Sequence, residues 1–383
     1  MAHSNTVLAQ MLKLIPRHEF EKTANGRDGR RRAGALSRWS QFCALTVGHL
    51  GKRDSLRDIE STLASQHRVR YHLGSQAVSK SALSRANERL DYQFYTDLLG
   101  HLYQRCSNSS PRHGLRIKHK LFSLDASLLD VSMKVFPWAN YNTMKAAFKL
   151  HVGLDHEGLV PGFARITEGR ISENEVAREV DLPAGSVLVF DKGYNNYLWH
   201  KSLTDRGIFW VTRIRGNAKY RVVERRSVAG NITSDQIIQY IGKHRYDDEL
   251  HAIRRIGYRD PDTKKHYVFI TNHFSWSGQT IADIYKQRWQ IELFFKWIKQ
   301  NLKIKSFLGT TKNAVLTQVM AALCVYLLLS YLRFQSKAKW SLQHITRLLQ
   351  MNLFARRGLL ELINPIKLKP EKPPQLSLAL TRI

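Results

Sequence analysis

The chain has 383 residues, 43% of them hydrophobic, which is enough to bury a sizeable core in two or three folded units and excludes a disordered chain. Sixty Lys and Arg stand against 31 Asp and Glu, a formal charge of +29. That is far more than solubility requires, so the expected partner is a polyanion, nucleic acid before an anionic membrane surface, with a passive basic surface as the bland alternative.

Residues 1–14 lack the basic start, unbroken apolar stretch and cleavage site of a signal peptide. Cys43, Cys106 and Cys324 are far apart and form no C-x2-C pair, which supports neither a zinc module nor a disulfide framework and agrees with a cytoplasmic setting. The first 110 residues read as helical. Apolar spacing predicts a helix over 6–15, stopped near Pro16, a basic loop cluster over 27–32, and helices over 39–50 and 55–63. After a turn around Gly74, Ser79 stands at an N-cap position before a helix carrying Lys80, Ser84, Arg85, Asn87 and Arg89. Such a helix pair can serve a major groove, with Lys80 and Arg85 as DNA contacts. An ordinary helical bundle with a polar outer face fits equally well.

Residues 111–120 are basic, contain Pro and Gly, and read as a linker. Strands follow. Residues 120–124 run apolar into Asp125, and 146–154 and 159–166 form a hairpin about His156, Glu157 and Gly158. A helix is expected over 172–180, opened by Ser172 with Glu175 three residues on. Residues 187–190 form a short apolar strand ending at Asp191, with Gly193 to turn the chain, then a helix over 195–205 and a strand over 208–214. Basic strand-like pieces at 220–223, 251–258 and 266–271 look inserted. A long helix over 281–302 precedes the apolar run 314–332. That run is nearly long enough to span a bilayer, but it stands alone and contains Thr317, Gln318 and Ser330, so a core helix is expected and no membrane. From Asn364 the tail is rich in Pro and Lys.

Three acids stand out. Asp125 and Asp191 each end an apolar strand, where ligands collect in α/β sheets. Asp130 competes with Asp125, and Asp191 could instead cap the next helix. On the long helix, Tyr285, Arg288, Glu292 and Lys299 share one polar stripe of a mostly apolar cylinder. The alternative is a set of solvent-facing pairs, Arg288–Glu292 and Glu292–Lys296, worth ~0.2–0.5 kcal/mol each. Three carboxylates in one cleft can hold two hard cations through oxygen and so drive phosphodiester chemistry without a nucleophilic side chain. The chain carries no phosphate loop, nucleophile elbow or H-E-x-x-H motif.

The spacing Tyr285-x2-Arg288-x3-Glu292-x6-Lys299, with FSLDAS and VLVFDKGY before it, resembles the Y-x2-R-x3-E-x6-K signature and two Asp regions of insertion-sequence transposases of family four. The likeness runs from about Val7 to Phe334. It implies an α/β, RNase H-like catalytic core with a mixed sheet, preceded by an all-helical N-terminal domain. The expected division is a helical DNA-binding domain over 1–110, catalytic core over 118–215, a β-rich insertion over 216–272, the helical remainder of the core over 273–335, and a C-terminal region over 336–383. It implies a DDE role and metal ligation for Asp125, Asp191 and Glu292, with two Mg2+ ions for which Mn2+ can substitute. It also implies contacts from Tyr285, Arg288 and Lys299 to double-stranded DNA, namely the transposon's inverted ends and the target. In such enzymes a Trp of the insertion can stack on a flipped base, and Trp276, then Trp210, are the candidates here. A homodimer on DNA and a bacterial, nucleoid-associated location complete the expectation. A nuclease without strand transfer and an inactive, domesticated DNA-binding protein are the alternatives.

Overall fold

The protein is described from a computed structural model over residues 5–29, 34–132, 135–142, 145–241 and 252–364. Arg30 to Arg32 of the basic cluster, His251 at the head of one expected strand, and the tail beyond Asn364 lie outside them.

Seven helices open the chain: α1 (Val7–Leu12), α2 (Arg17–Asp28), α3 (Arg38–Leu50), α4 (Leu56–Ser65), α5 (His67–Leu73), α6 (Lys80–Arg89) and α7 (Gln93–Ser107). Local chemistry sets their ends. Ser55 and Asp58 form a capping box at the head of α4, and Gly74, at φ 59°, closes α5 in the left-handed conformation. The helix expected over 6–15 is shorter than its pattern. Arg27 lies inside α2, not in a loop, and pairs with Asp97 at 2.7 Å.

Then come β1 (Leu121–Val131), β2 (Asn140–Asn142), β3 (Lys145–Asp155), β4 (Val160–Glu168), α8 (Glu173–Ala177), β5 (Val187–Phe190), α9 (Tyr197–Asp205) and β6 (Phe209–Arg213). β4, β3, β1, β5 and β6 lie side by side. β3 is antiparallel to β1, whereas β5 and β6 run parallel to it. This is the RNase H-like order. β5, VLVF, is buried at every residue because both faces of a central parallel strand are covered.

The inserted segment supplies β7 (Tyr220–Arg225), β8 (Ile232–Tyr240), β9 (Ile253–Arg259) and β10 (His266–Thr271). These strands are antiparallel to one another, and β10 pairs with β6, so they prolong the same sheet to ten strands.

The helix expected over 281–302 is two helices, α10 (Gly278–Gln287) and α11 (Trp289–Asn301), meeting at Arg288. The apolar run lies within α12 (Lys312–Gln335), followed by α13 (Leu342–Asn352) and α14 (Leu359–Ile363). α12 is long and apolar enough to cross a membrane, yet 94% of its apolar window is buried inside the protein. It packs on α3, α6, α7 and β4, and a helix apolar all round has that place in a core. One hydrophobic cluster therefore unites the N-terminal helices with α11, α12 and the inner residues of β3. The C-terminal segment closes on the first helix, where Val7 N–H donates to Ala355 O at 3.0 Å and Leu8 N–H to Leu353 O at 2.9 Å.

Candidate active site

The site is built by strand register. Leu124 pairs with Phe190, and Val189 with Val211. Asp125, Asp191 and Arg213 therefore leave three neighbouring parallel strands at one level. Side chains alternate along a strand. Leu121, Val187, Val189 and Val211 face α10, so their odd-numbered successors Asp125, Asp191 and Arg213 face it too.

Asp125 is mid-strand, not at the strand's end, because β1 runs on to Val131 with β3 as its partner. What ends at Leu124 is the pairing with β5. Asp130 is exposed and by alternation lies on the other face. Asp191 precedes a 3-10 turn (Lys192–Tyr194) but makes no side-chain capping bond, and Asn196 caps α9 instead. Gly193 does not adopt a positive φ, and a Cβ there would meet Glu173 Oε2 at 3.8 Å, an ordinary contact, so neither a turn nor a close approach requires glycine at this position.

α10 and α11 bring the remaining groups over this row. Arg288 Nη2 lies 2.6 Å from Glu292 Oε1, and its Nη1 lies 3.6 Å from Asp125 Oδ2. Arg213 donates to Asp191 Oδ1 at 2.8 Å and the Tyr285 hydroxyl donates to the same oxygen at 3.3 Å. Phe269 of β10 supports the Tyr285 ring at 4.8 Å. Lys299 is partly buried on α11 and donates to Leu128 O at 2.9 Å, anchoring that helix to β1.

The two aspartates differ in charge environment. Burial pushes the Asp125 carboxyl up to about 6, opposed by the Ala126 N–H and Arg288 and reinforced by Glu173 and Glu292. For Asp191, burial is the largest influence and raises it, but the Arg213 hydrogen bond, a backbone N–H and the Arg213 and Arg288 charges outweigh it, leaving its carboxyl below the usual range. Burial also pushes the Tyr285 phenol up to about 12, so it stays a donor.

The donor set is all carboxylate oxygen, which suits a hard divalent cation. Among the described residues no three His, Cys, Asp or Glu side chains lie close enough to share one ion. Arg288 instead stands between Asp125 and Glu292. Beside it opens a cavity of about 610 Å3, lined by Tyr258, Tyr267, Phe269, Tyr285 and Trp289 together with Arg213, Lys286 and Arg288.

Other expected contacts lie elsewhere. Trp276 stacks on His273 with centroids 3.5 Å apart and also meets Phe209, which pairs with Val187 at the opposite end of β5 from Asp191. It belongs to the packing there. Trp210 is buried and donates to Thr204 Oγ1. On α6, Lys80 and Arg85 are exposed, whereas Asn87 is buried and accepts from Gln41 Nε2 at 2.9 Å. No motif in the sequence marks Arg213 or Glu173. The signal for Arg213 was an apolar strand, FWVT, ending in a charge just as VLVF does.

An RNase H-like sheet with two aspartates on adjacent strands and a glutamate of α11 held near them through Arg288 is the arrangement expected of a DDE-type enzyme of nucleic-acid cleavage. Comparison agrees: residues 117–328 match the transposase DDE domain, and residues 3–76 match a domain of unknown function (DUF4372). The chain belongs to the transposase DDE domain family. A relative named as a transposase in Sinorhizobium fredii is 30% identical over 312 residues, 78% of this chain and 85% of that one. A transposase of insertion sequence element IS5377 from Geobacillus stearothermophilus is 30% identical over 261 residues, covering 67% and 68%. One from element IS4SA of Synechocystis is 24% identical over 293 residues, covering 73% and 80%. The piggyBac transposase synaptic complex with hairpin DNA gives a TM-score of 0.46 at 13% identity over 90% of this chain and 80% of that one.

Proposed function

We propose that this transposase belongs to insertion-sequence family four and moves its element by cut-and-paste, with Asp125, Asp191 and Glu292 as the catalytic and metal-binding acids. The observation that carries the reading is the convergence of the three: register sets two of them side by side, and Arg288 ties the third to the first. Two Mg2+ ions, replaceable by Mn2+, would supply charge for the attacking and leaving oxygens of a phosphodiester. The chain's own residues orient the acids. Arg213 and Tyr285 fix the Asp191 carboxylate, while Arg288 neutralises Asp125 and Glu292 and can turn to a phosphate, a geometry guanidinium favours. Lys299 and the exposed Lys80 and Arg85 are phosphate contacts in this reading, and the aromatic cavity with Trp289 offers an unstacked base a platform in place of Trp276.

The partners are the element's inverted ends and target DNA, held by a homodimer in the bacterial cytoplasm at the nucleoid. The +29 charge supports a polyanionic partner. Incubation with duplexes bearing the element's own ends, a plasmid target and Mg2+ tests the reading. Joined products are expected. Cutting without joining reduces the protein to a nuclease, and binding alone to a DNA-binding protein. Short inverted repeats flanking the gene are expected as well.

A further inference from the structure

From Leu293 to Leu360 the chain contains no Asp or Glu. The first part of that stretch carries Lys296, Lys299, Lys303, Lys305 and Lys312, and it connects the active site to the N-terminal helices. It starts one residue past Glu292 on α11. It reaches the head of α12, where the Asn313 amide donates to Asn87 O at 2.8 Å and to Leu90 O at 2.7 Å, in the last turn and at the cap of α6. Three of these lysines are engaged. Lys299 donates to Leu128 O, Lys303 pairs with Asp54 of the loop before α4, and Lys312 lies 3.6 Å from Glu168. Lys296 and Lys305 are exposed and form no ion pair among the described residues. Glu292, one turn before Lys296, is held by Arg288 instead. Burial and the Lys305 charge lower the Lys299 ammonium, against Asp130, which raises it. Lys305 and Asp130 line an open trough of about 380 Å3 with Ser132, Ser306 and Thr310. One carboxylate does not balance the row. Like charges held on one surface repel, and a polyanion is the partner that relieves them.

We propose that Lys296 and Lys305 carry the element-end duplex across the surface between α6 and the catalytic acids. This rests on the reading above in which α6 grips the element's ends. A duplex held at α6 and cut beside Glu292 has to cross the ground between them, and the lysine row occupies it. Lys296 stands on α11, whose Phe294, Phe295 and Ile298 are buried in the main core, and Lys305 follows the buried Ile304. Both are therefore presented by fixed backbone, and little has to be ordered on binding. Ammonium groups act as point charges on phosphates, so these contacts hold the duplex in place without reading its bases.

Fluorescence anisotropy of the full-length protein over a range of salt concentrations tests this with two duplexes, the element's whole end across its cleavage junction and the same end shortened from the junction side. Lys296→Ala with Lys305→Ala should lower the slope of log affinity against log salt by about 1.8 on the whole end, two phosphate contacts' worth. On the shortened end the variant should match the wild type. Lys296→Arg with Lys305→Arg should keep the wild-type slope. The alanine pair should melt like the wild type, since both side chains are exposed. An unchanged slope on the whole end would overturn the proposal. So would an equal fall on both duplexes, which places the lysines away from the junction. Wild-type end binding and cleavage with joining alone lost would overturn it too, by giving the row to target DNA. Equal wild-type affinity for the end and for a shuffled duplex of the same length removes the end-binding reading and this proposal with it.

Discussion

Arg288 donates to Glu292 at 2.6 Å, one helical turn away, with the same guanidinium 3.6 Å from Asp125. The pair spans the junction of α10 and α11, so the break between the helices falls at the residue that joins a helix acid to a strand acid. A surface i,i+4 pair would stand in solvent. Here the Arg288 side chain is 15% exposed, and it competes with any cation for the two carboxylates.

Arg288→Met should therefore separate metal binding from catalysis. With the competing charge gone, Mn2+ affinity is expected to rise roughly two- to fivefold, since like charge near a cation site opposes binding. Joining should fall about 100-fold or more, the usual loss for a group that stabilises transition-state charge. Calorimetric titration and a strand-transfer assay on one preparation check both. Lower Mn2+ affinity in the variant would contradict the competition.

On α6, exposed and buried polar residues make different predictions. Lys80→Ala with Arg85→Ala should weaken DNA binding and lower the slope of log affinity against log salt by about 1.8, two phosphate contacts' worth. Asn87→Ala strands the buried Gln41 amide, at a cost of about 1–3 kcal/mol in unfolding free energy. Its salt slope should remain that of the wild type. Fluorescence anisotropy at several salt concentrations, beside urea melts, reads both.

Two tryptophans are expected to exchange the roles that sequence alone suggests. Trp276, packed on His273, His119 and Phe209, should cost about 3–5 kcal/mol on truncation to Ala. Trp289 is 55% exposed beside the acids, so Trp289→Ala should stay within about 1 kcal/mol of wild type in stability yet lower joining. A stable Trp276→Ala protein would contradict this placement.

Buried histidines set an acid limit. Burial lowers His49 to about 4, against a hydrogen bond to Gln318 O that raises it, and lowers His200 to about 3, with the Arg215 charge adding to the effect. Their folded values lie below the unfolded value near 6.5, so the unfolded chain binds more protons in acid. The stability they contribute is complete above about pH 6.5 and is lost as pH falls toward 4, on the order of 2 kcal/mol for each by pH 5. His200→Phe, which keeps a ring against Trp210, should flatten that decline in urea melts at pH 7.5 and pH 5. An unchanged pH slope would contradict it.

Much of this site is legible in the residues. The apolar runs before Asp125 and Asp191 are the strands that deliver them, and the polar stripe on the long helix is the one that meets them. Register is not legible. Asp125 stands mid-strand because β1 outlasts its pairing with β5, and apolar content reports the pairing, not the strand. Nor was β8, whose buried Asp235 meets Arg254 at 2.6 Å inside the sheet, so that two charges stand where a pattern expects apolar residues. Arg213 and Glu173 come toward the acids from other segments through parallel pairing and the packing of α8, long-range events that no local spacing encodes. Trp276 shows the reverse, since an aromatic in the right interval of sequence belongs to the far end of the sheet.

The central claim is that Asp125, Asp191 and Glu292 act as one site. Strand transfer measured in Mg2+ with Asp125→Asn, Asp191→Asn, Glu292→Gln and Asp130→Asn tests it most directly. Each of the first three should lose joining by about 1000-fold or more while remaining folded and DNA-bound, as members of a catalytic unit do, and Asp130→Asn should join like the wild type. Full joining by any of the first three, or its loss in Asp130→Asn, would contradict the assignment.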